Sequence, residues 1–148
     1  MQDDREQPRP ATQALREFLQ VSREFEGRLG RELAVNPTDL LAMEHMILSG
    51  PVGPSELARR LGITPPAATA VVDRLEAAGH VSRAINPTDR RGIVVTPNPE
   101  SVTRAMAVLL PMIGAVDSAL DEFTPEEQAI VTAYLDRVVA TYREHARA

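Results

Sequence analysis

The chain has 148 residues and a formal net charge of −5, with 43% apolar but only 3% aromatic residues. The length fits one domain or a compact pair of lobes, and an aliphatic core suits packed helices better than a sandwich or barrel. The absence of cysteine excludes disulfides, thiolate metal sites and thiol redox sensing; the polar opening "MQDDREQPRP" is unlike a signal peptide, and no apolar run is read as a membrane span, so the expected location is cytoplasmic.

Residues 1–10 read as a disordered tail. From Ala11 the apolar period becomes helical, through Leu15, Phe18, Leu19, Phe25, Leu29 and Leu33, giving a first helix within 11–36. Pro37 and Thr38 open a second helix with Leu40, Met43 and Ile47 on one face, and Gly50 and Pro51 stop it. A third, short helix starts at Pro54 or Ser55 and runs to Leu61, where Gly62 is placed for a left-handed cap. Thr64 caps the next helix, Pro65 takes its first position, and it ends near Ala78 and Gly79. Two helices joined by so short a turn form a helix-turn-helix. The apolar positions agree, with Leu57, Ala58 and Leu61 facing Ala68, Val71, Val72 and Leu75.

Two β-prone runs follow, Val81–Ile85 and Ile93–Thr96, joined by "NPTDRRG", a hairpin tip carrying Arg90 and Arg91 beside Asp89. A helix-turn-helix followed by a hairpin is the order of a winged helix. Beyond it, Val102, Met106, Leu109, Ile113, Val116 and Leu120 mark a helix with Pro111 and Gly114 as kink points. "TPEEQ" opens the last helix, with Thr124 as cap and Glu127 completing a capping box, and Ile130, Tyr134, Leu135, Val138 and Tyr142 form its apolar side. The expected fold is mainly α with a small β-hairpin wing. Its parts are flanking helices at 11–36 and 98–148 and a winged helix-turn-helix lobe at 37–97.

Charge is uneven along the chain. Residues 50–97 hold six arginines against four acids, so this segment is +2 within a chain of −5. Every basic residue is arginine, which suits planar recognition of phosphates and bases but follows more simply from codon bias.

"DRLEAAGHVSRAINPTDRRGIVVTP" and "ELARRLGIT" resemble the MarR family of bacterial transcription regulators: recognition-helix end, wing strands around Asp-Arg-Arg, and first helix-turn-helix element. The resemblance extends over roughly residues 11–145, although the flanking helices match only in length and pattern. It implies a homodimer whose N- and C-terminal helices intertwine and whose two winged lobes grip a pseudopalindromic operator. It further implies a repressor that loosens when a small-molecule effector binds in the crevice between lobes. The flanking helices support the dimer independently, because a lobe of about fifty residues is too small to bury both of their apolar faces.

Candidate DNA-contacting residues follow. Arg90 and Arg91 on the wing suit the minor groove, with Asp89 orienting one guanidinium by a charge-assisted hydrogen bond; the alternative is a pair that merely stiffens the turn. On the recognition helix Thr64 and Thr69 supply hydroxyls, while Pro66, Ala67 and Ala70 supply only apolar contact, an opening less polar than is common in the family. Arg74 is a phosphate or base contact, or else a surface ion pair with Asp73 or Glu76. Ser55 serves a phosphate or caps its helix. Arg59 and Arg60 face phosphate or solvent, and the aim of Arg83 is open. His45, His80 and His145 lack metal-ligand spacing, and no catalytic constellation or cofactor motif appears, so neither metal, cofactor nor enzymatic activity is expected. His45 beside Glu44 is a sensing group or a packed, half-buried ring. A competing reading is a winged helix that binds proteins and no longer reads DNA, favoured by the acidic net charge and the apolar recognition helix.

Overall fold

The computed structural model describes residues 7–147; residues 1–6 of the expected tail lie outside it. The elements in chain order are α1 (Pro10–Leu33), α2 (Pro37–Ser49), α3 (Pro54–Leu61), α4 (Pro65–Ala77), β1 (Val81–Ile85), β2 (Ile93–Pro97), α5 (Pro99–Ser118), a 3₁₀ turn (Ala119–Glu122) and α6 (Pro125–His145). The protein is mainly helical with one antiparallel hairpin, as the sequence predicts. It divides into two compact units, one ending at Met106 and the other starting at Ala107, inside α5.

Boundaries follow local chemistry. Proline takes the first position of α1, α2, α3, α4 and α6, where its missing N–H costs no helical bond. Helix α1 therefore begins at Pro10, one residue earlier than expected. It also ends earlier: Ala34 adopts φ 55°, and the amides of Ala34 and Val35 close on the carbonyls of Arg31 and Gly30. Asn36 then caps α2, its side chain accepting the Asp39 amide at 2.9 Å. Gly62 takes φ 65° at the end of α3, the left-handed cap its position predicts. Gly53, not Ser55, is the N-cap of α3; no side chain caps that end, and Ser55 lies exposed in the first turn. Thr124 and Glu127 form the expected capping box.

In the first unit the core joins α2, α3, α4 and the hairpin. Ala42, Leu57, Ala68, Val72, Leu75 and Val95 are fully buried, and Leu33, Met43, Met46, Val71 and Val81 nearly so. The hairpin pairs Val81 with Pro97 and Ile85 with Ile93, and Val52 adds a two-hydrogen-bond bridge to Val95, a third short partner that the sequence did not announce. On α1 only Leu29, Gly30 and Leu33 are buried, while Phe18 and Val21 are exposed.

In the second unit no residue of α6 is buried, and Ile130, Tyr134, Leu135 and Tyr142 are exposed along it. The 24 residues Pro99–Glu122 are long and apolar enough to cross a membrane by length and composition alone. Reading for unbroken runs misses them, because Arg104 and Asp117 interrupt the run without cancelling the average.

Candidate nucleic-acid interface

Helices α3 and α4 are joined through Gly62, Ile63 and Thr64. The Ile63 amide bonds the Ala58 carbonyl at 3.1 Å, and Thr64 Oγ1 accepts the Ala67 amide at 3.3 Å. The buried stripe Ala68, Val71, Val72 and Leu75 fixes which side of α4 faces the core. The opposite side exposes Pro65, Pro66, Ala67, Thr69, Ala70 and Asp73. The Thr69 hydroxyl is already donating to the Pro65 carbonyl at 3.1 Å.

Arg74 lies half exposed at the far end of α4. The sequence offered Asp73 or Glu76 as its ion-pair partner; the partner is Asp39 of α2, 35 residues away. The contact is bidentate, Nε to Oδ2 at 3.0 Å and Nη2 to Oδ1 at 2.7 Å, with the Asp39 side chain 5% exposed. That hydrogen bonding raises the Arg74 pKa. Asp73 and Glu76 instead hold Arg83 of β1, Glu76 at 2.7 Å, and so tie the hairpin to α4. The bond to Asp73, seconded by Glu76, raises the Arg83 pKa. On α3, Glu56 receives Arg59 at 2.6 and 2.9 Å and Arg60 at 2.8 Å. Arg59 first, then Arg60, pulls the Glu56 carboxyl from 4.5 down to about 2. Both α3 arginines are therefore engaged within their own helix.

At the wing tip the Asn86 amide bonds the Gly92 carbonyl and the Gly92 amide bonds the Asp89 carbonyl, each at 2.9 Å, while Asn86 Oδ1 accepts the Thr88 amide and hydroxyl. Among the described residues Asp89 pairs with no guanidinium. Its Oδ1 accepts the backbone amide of Arg91 at 3.0 Å, a two-residue side-chain-to-backbone turn that competes with the expected side-chain pairing. Arg90 and Arg91 are exposed, and among the described residues their guanidinium groups form no ion pair.

Residues 35–92, from the second helix to the tip of the hairpin, match the model of the MarR family. A curated relative, an uncharacterised HTH-type transcriptional regulator YcgE of Bacillus subtilis (strain 168), is 29% identical over 120 residues, 81% of this chain and 78% of its own. A MarR-like transcriptional regulator from Thermotoga maritima superposes with a TM-score of 0.70 at 26% identity, covering 92% of this chain and 99% of that one. Wild-type MarR of E. coli in its apo form gives 0.60 at 20% identity, covering 89% and 98%, a likeness of fold. The chain is similar to MarR-family regulators through its helix-turn-helix segment and shares their fold. Its fold is that of a winged helix-turn-helix, mainly helical with a two-stranded antiparallel hairpin.

Within the winged-helix lobe, sequence reasoning missed a buried polar residue that links three elements. His80, 3% exposed, follows the end of α4. Its Nε2 lies 2.8 Å from the Leu33 carbonyl and its Nδ1 2.9 Å from Ser101 Oγ. A carbonyl only accepts, so Nε2 carries a proton, and in that tautomer of the neutral ring the Ser101 hydroxyl donates to Nδ1. One ring thereby joins the end of α1, the start of β1 and the first turn of α5. Arg104 donates to the neighbouring Glu32 carbonyl at 2.9 Å, so two basic side chains satisfy the last carbonyls of α1. Only burial distinguishes His80 from the half-buried His45 and the exposed His145. Among the described residues no group of three His, Cys, Asp or Glu side chains is placed to hold a metal.

Proposed function

We propose that this chain is a ligand-responsive transcriptional repressor that grips a pseudopalindromic operator as a cytoplasmic homodimer and carries no catalytic activity. Residues 37–97 form the DNA-binding lobe, and 11–36 and 98–148 supply the dimerisation helices. The carrying observation is the wing tip. Arg90 and Arg91 project from a tip whose backbone is fixed by Asp89 and Asn86, next to a capped helix-turn-helix. Arginine presented this way suits the narrow, electronegative minor groove. Helix α4 lies in the major groove, with Thr64 and Thr69 near the bases. Arg74, held by Asp39, and Ser55, exposed at the first turn of α3, face phosphate. The dimer is supported by apolar side chains that each unit leaves uncovered, Phe18 and Val21 in the first, Ile113, Val116, Ile130 and Leu135 in the second. An effector coupled to DNA binding by about 1–3 kcal/mol loosens the grip roughly 5–150-fold.

The test combines a mobility shift on the chain's own upstream DNA, at low and moderate salt, with light scattering. Specific retention and twice the 16.2 kDa chain mass support the reading. A dimer that retains no DNA at either salt supports the second reading, a protein-interaction module, which the apolar face of α4 favours.

A further inference from the structure

The exposed face of the first two turns of α4 is unusual for a surface that reads base edges, because all but one of its hydrogen-bond donors have been removed or used. The first two helical positions are Pro65 and Pro66, which have no N–H. The Ala67 amide is taken by Thr64 Oγ1, and the Ala68 amide by the Thr64 carbonyl at 3.0 Å. The first turn therefore offers no free amide to a phosphate or a purine acceptor. Among the exposed side chains Pro66, Ala67 and Ala70 carry only carbon, and Thr69 has committed its proton to Pro65. Asp73 is an acceptor engaged with Arg83, and Arg74 is turned to Asp39. The Thr64 hydroxyl proton is the one donor left in the first two turns.

Set against DNA, this chemistry is selective. Guanine shows two acceptors in the major groove, cytosine and adenine each show an amino donor, and thymine alone shows a methyl group. A surface of methyl and ring methylene groups leaves groove acceptors and amino donors without partners at every base pair, A·T included, and only thymine offers a methyl in return. The same surface gains from covering a methyl. We propose that α4 selects thymine through its 5-methyl group, with Pro66, Ala67, Ala70 and the Thr69 methyl as the determinants, so that the operator half-sites carry thymine at the steps under the first two turns of α4. This rests on the reading of α4 as the major-groove helix. That placement is continuous with the exposed arginines of the wing, whose charge matches a DNA backbone.

Deoxyuridine pairs as thymidine does and lacks only the methyl, so the test can be made on the DNA. Duplexes retained by the full chain are selected from a random pool, and each thymine of the enriched site is replaced singly by deoxyuridine. Losing one buried methyl is expected to weaken binding about fourfold, and about sixteenfold when the same step is replaced in both half-sites. In Ala70→Gly, compared at equal helix content by circular dichroism, the penalty at one step should shrink. Enriched half-sites without thymine at these steps, or uracil replacement throughout them with unchanged affinity, overturns the methyl readout and leaves DNA binding standing. A pool from which nothing is enriched overturns both.

Discussion

The His80 ring offers the sharpest energetic test of the fold. Ser101→Ala removes the donor to a buried Nδ1, in a residue that is 3% exposed, and no other described group reaches that nitrogen. Leaving such an atom unpaired costs about 1–3 kcal/mol. His80→Leu fills similar space but strips the Leu33 carbonyl of the 2.8 Å bond it has outside the helix, at a similar cost of about 1–3 kcal/mol. In the leucine background the Ser101 hydroxyl has only the Gly79 carbonyl, 3.4 Å away, so removing it there should cost little. The double variant is therefore expected to be more stable than the sum of the single losses by about 1–2 kcal/mol. Urea midpoints at one protomer concentration measure this, provided the slope with denaturant is unchanged. Additivity within about 0.5 kcal/mol, or a neutral Ser101→Ala, would refute the bonded network and the assigned tautomer.

Other expectations concern charge, the wing and the core. Glu56 has its pKa lowered to about 2, so its pairing with Arg59 and Arg60 helps the folded state above about pH 4.5 and fades as pH falls toward about 2. Glu56→Gln should therefore lose least against the parent in acid, and less at high salt because the group is exposed; a constant difference in denaturation midpoint across that window contradicts this. Arg91→Ala should weaken operator binding by about 1–3 kcal/mol, and more than Thr69→Ala, whose hydroxyl is already occupied. Asp89→Ala should also weaken it by freeing the Arg91 backbone, although simple charge removal near phosphate predicts tighter binding; a titration giving a gain would end that account. Leu75→Ala, at a fully buried position, should lower stability by about 2–5 kcal/mol in chemical denaturation.

What was legible in the sequence is what is encoded within a few residues. Thr64, Gly62, Thr124 and the first-position prolines announce helix ends by their own chemistry, and those ends fall within a residue or two of the expected places. The wing was legible because the strand-prone runs flank a polar tip. The pairings were not. Asp39 meets Arg74 across 35 residues, and His80 meets Leu33 across 47, with nothing local to announce either. Neighbouring acids looked like partners for Arg74 because sequence proximity stood in for direction, whereas Asp73 and Glu76 turn toward the hairpin. The Asp89 bond to the Arg91 amide was within reach, since aspartate two residues before an amide commonly forms that turn. The adjacent opposite charges of Asp89, Arg90 and Arg91 mask that local turn in the sequence.

The polar fastenings of α4 are distributed unevenly. Arg74 to Asp39, Asp73 and Glu76 to Arg83, and the His80 hub just beyond all grip its last turns, while the first two turns rest on apolar packing alone. The helix is mounted as a cantilever. Over 13 residues it is ~20 Å long, so a tilt of ~5° at the clamped end carries the free end through nearly ~2 Å. Hydrogen bonds at that tip would break under such play, since they lose strength within a few tenths of an ångström, but methyl groups sliding over one another would not.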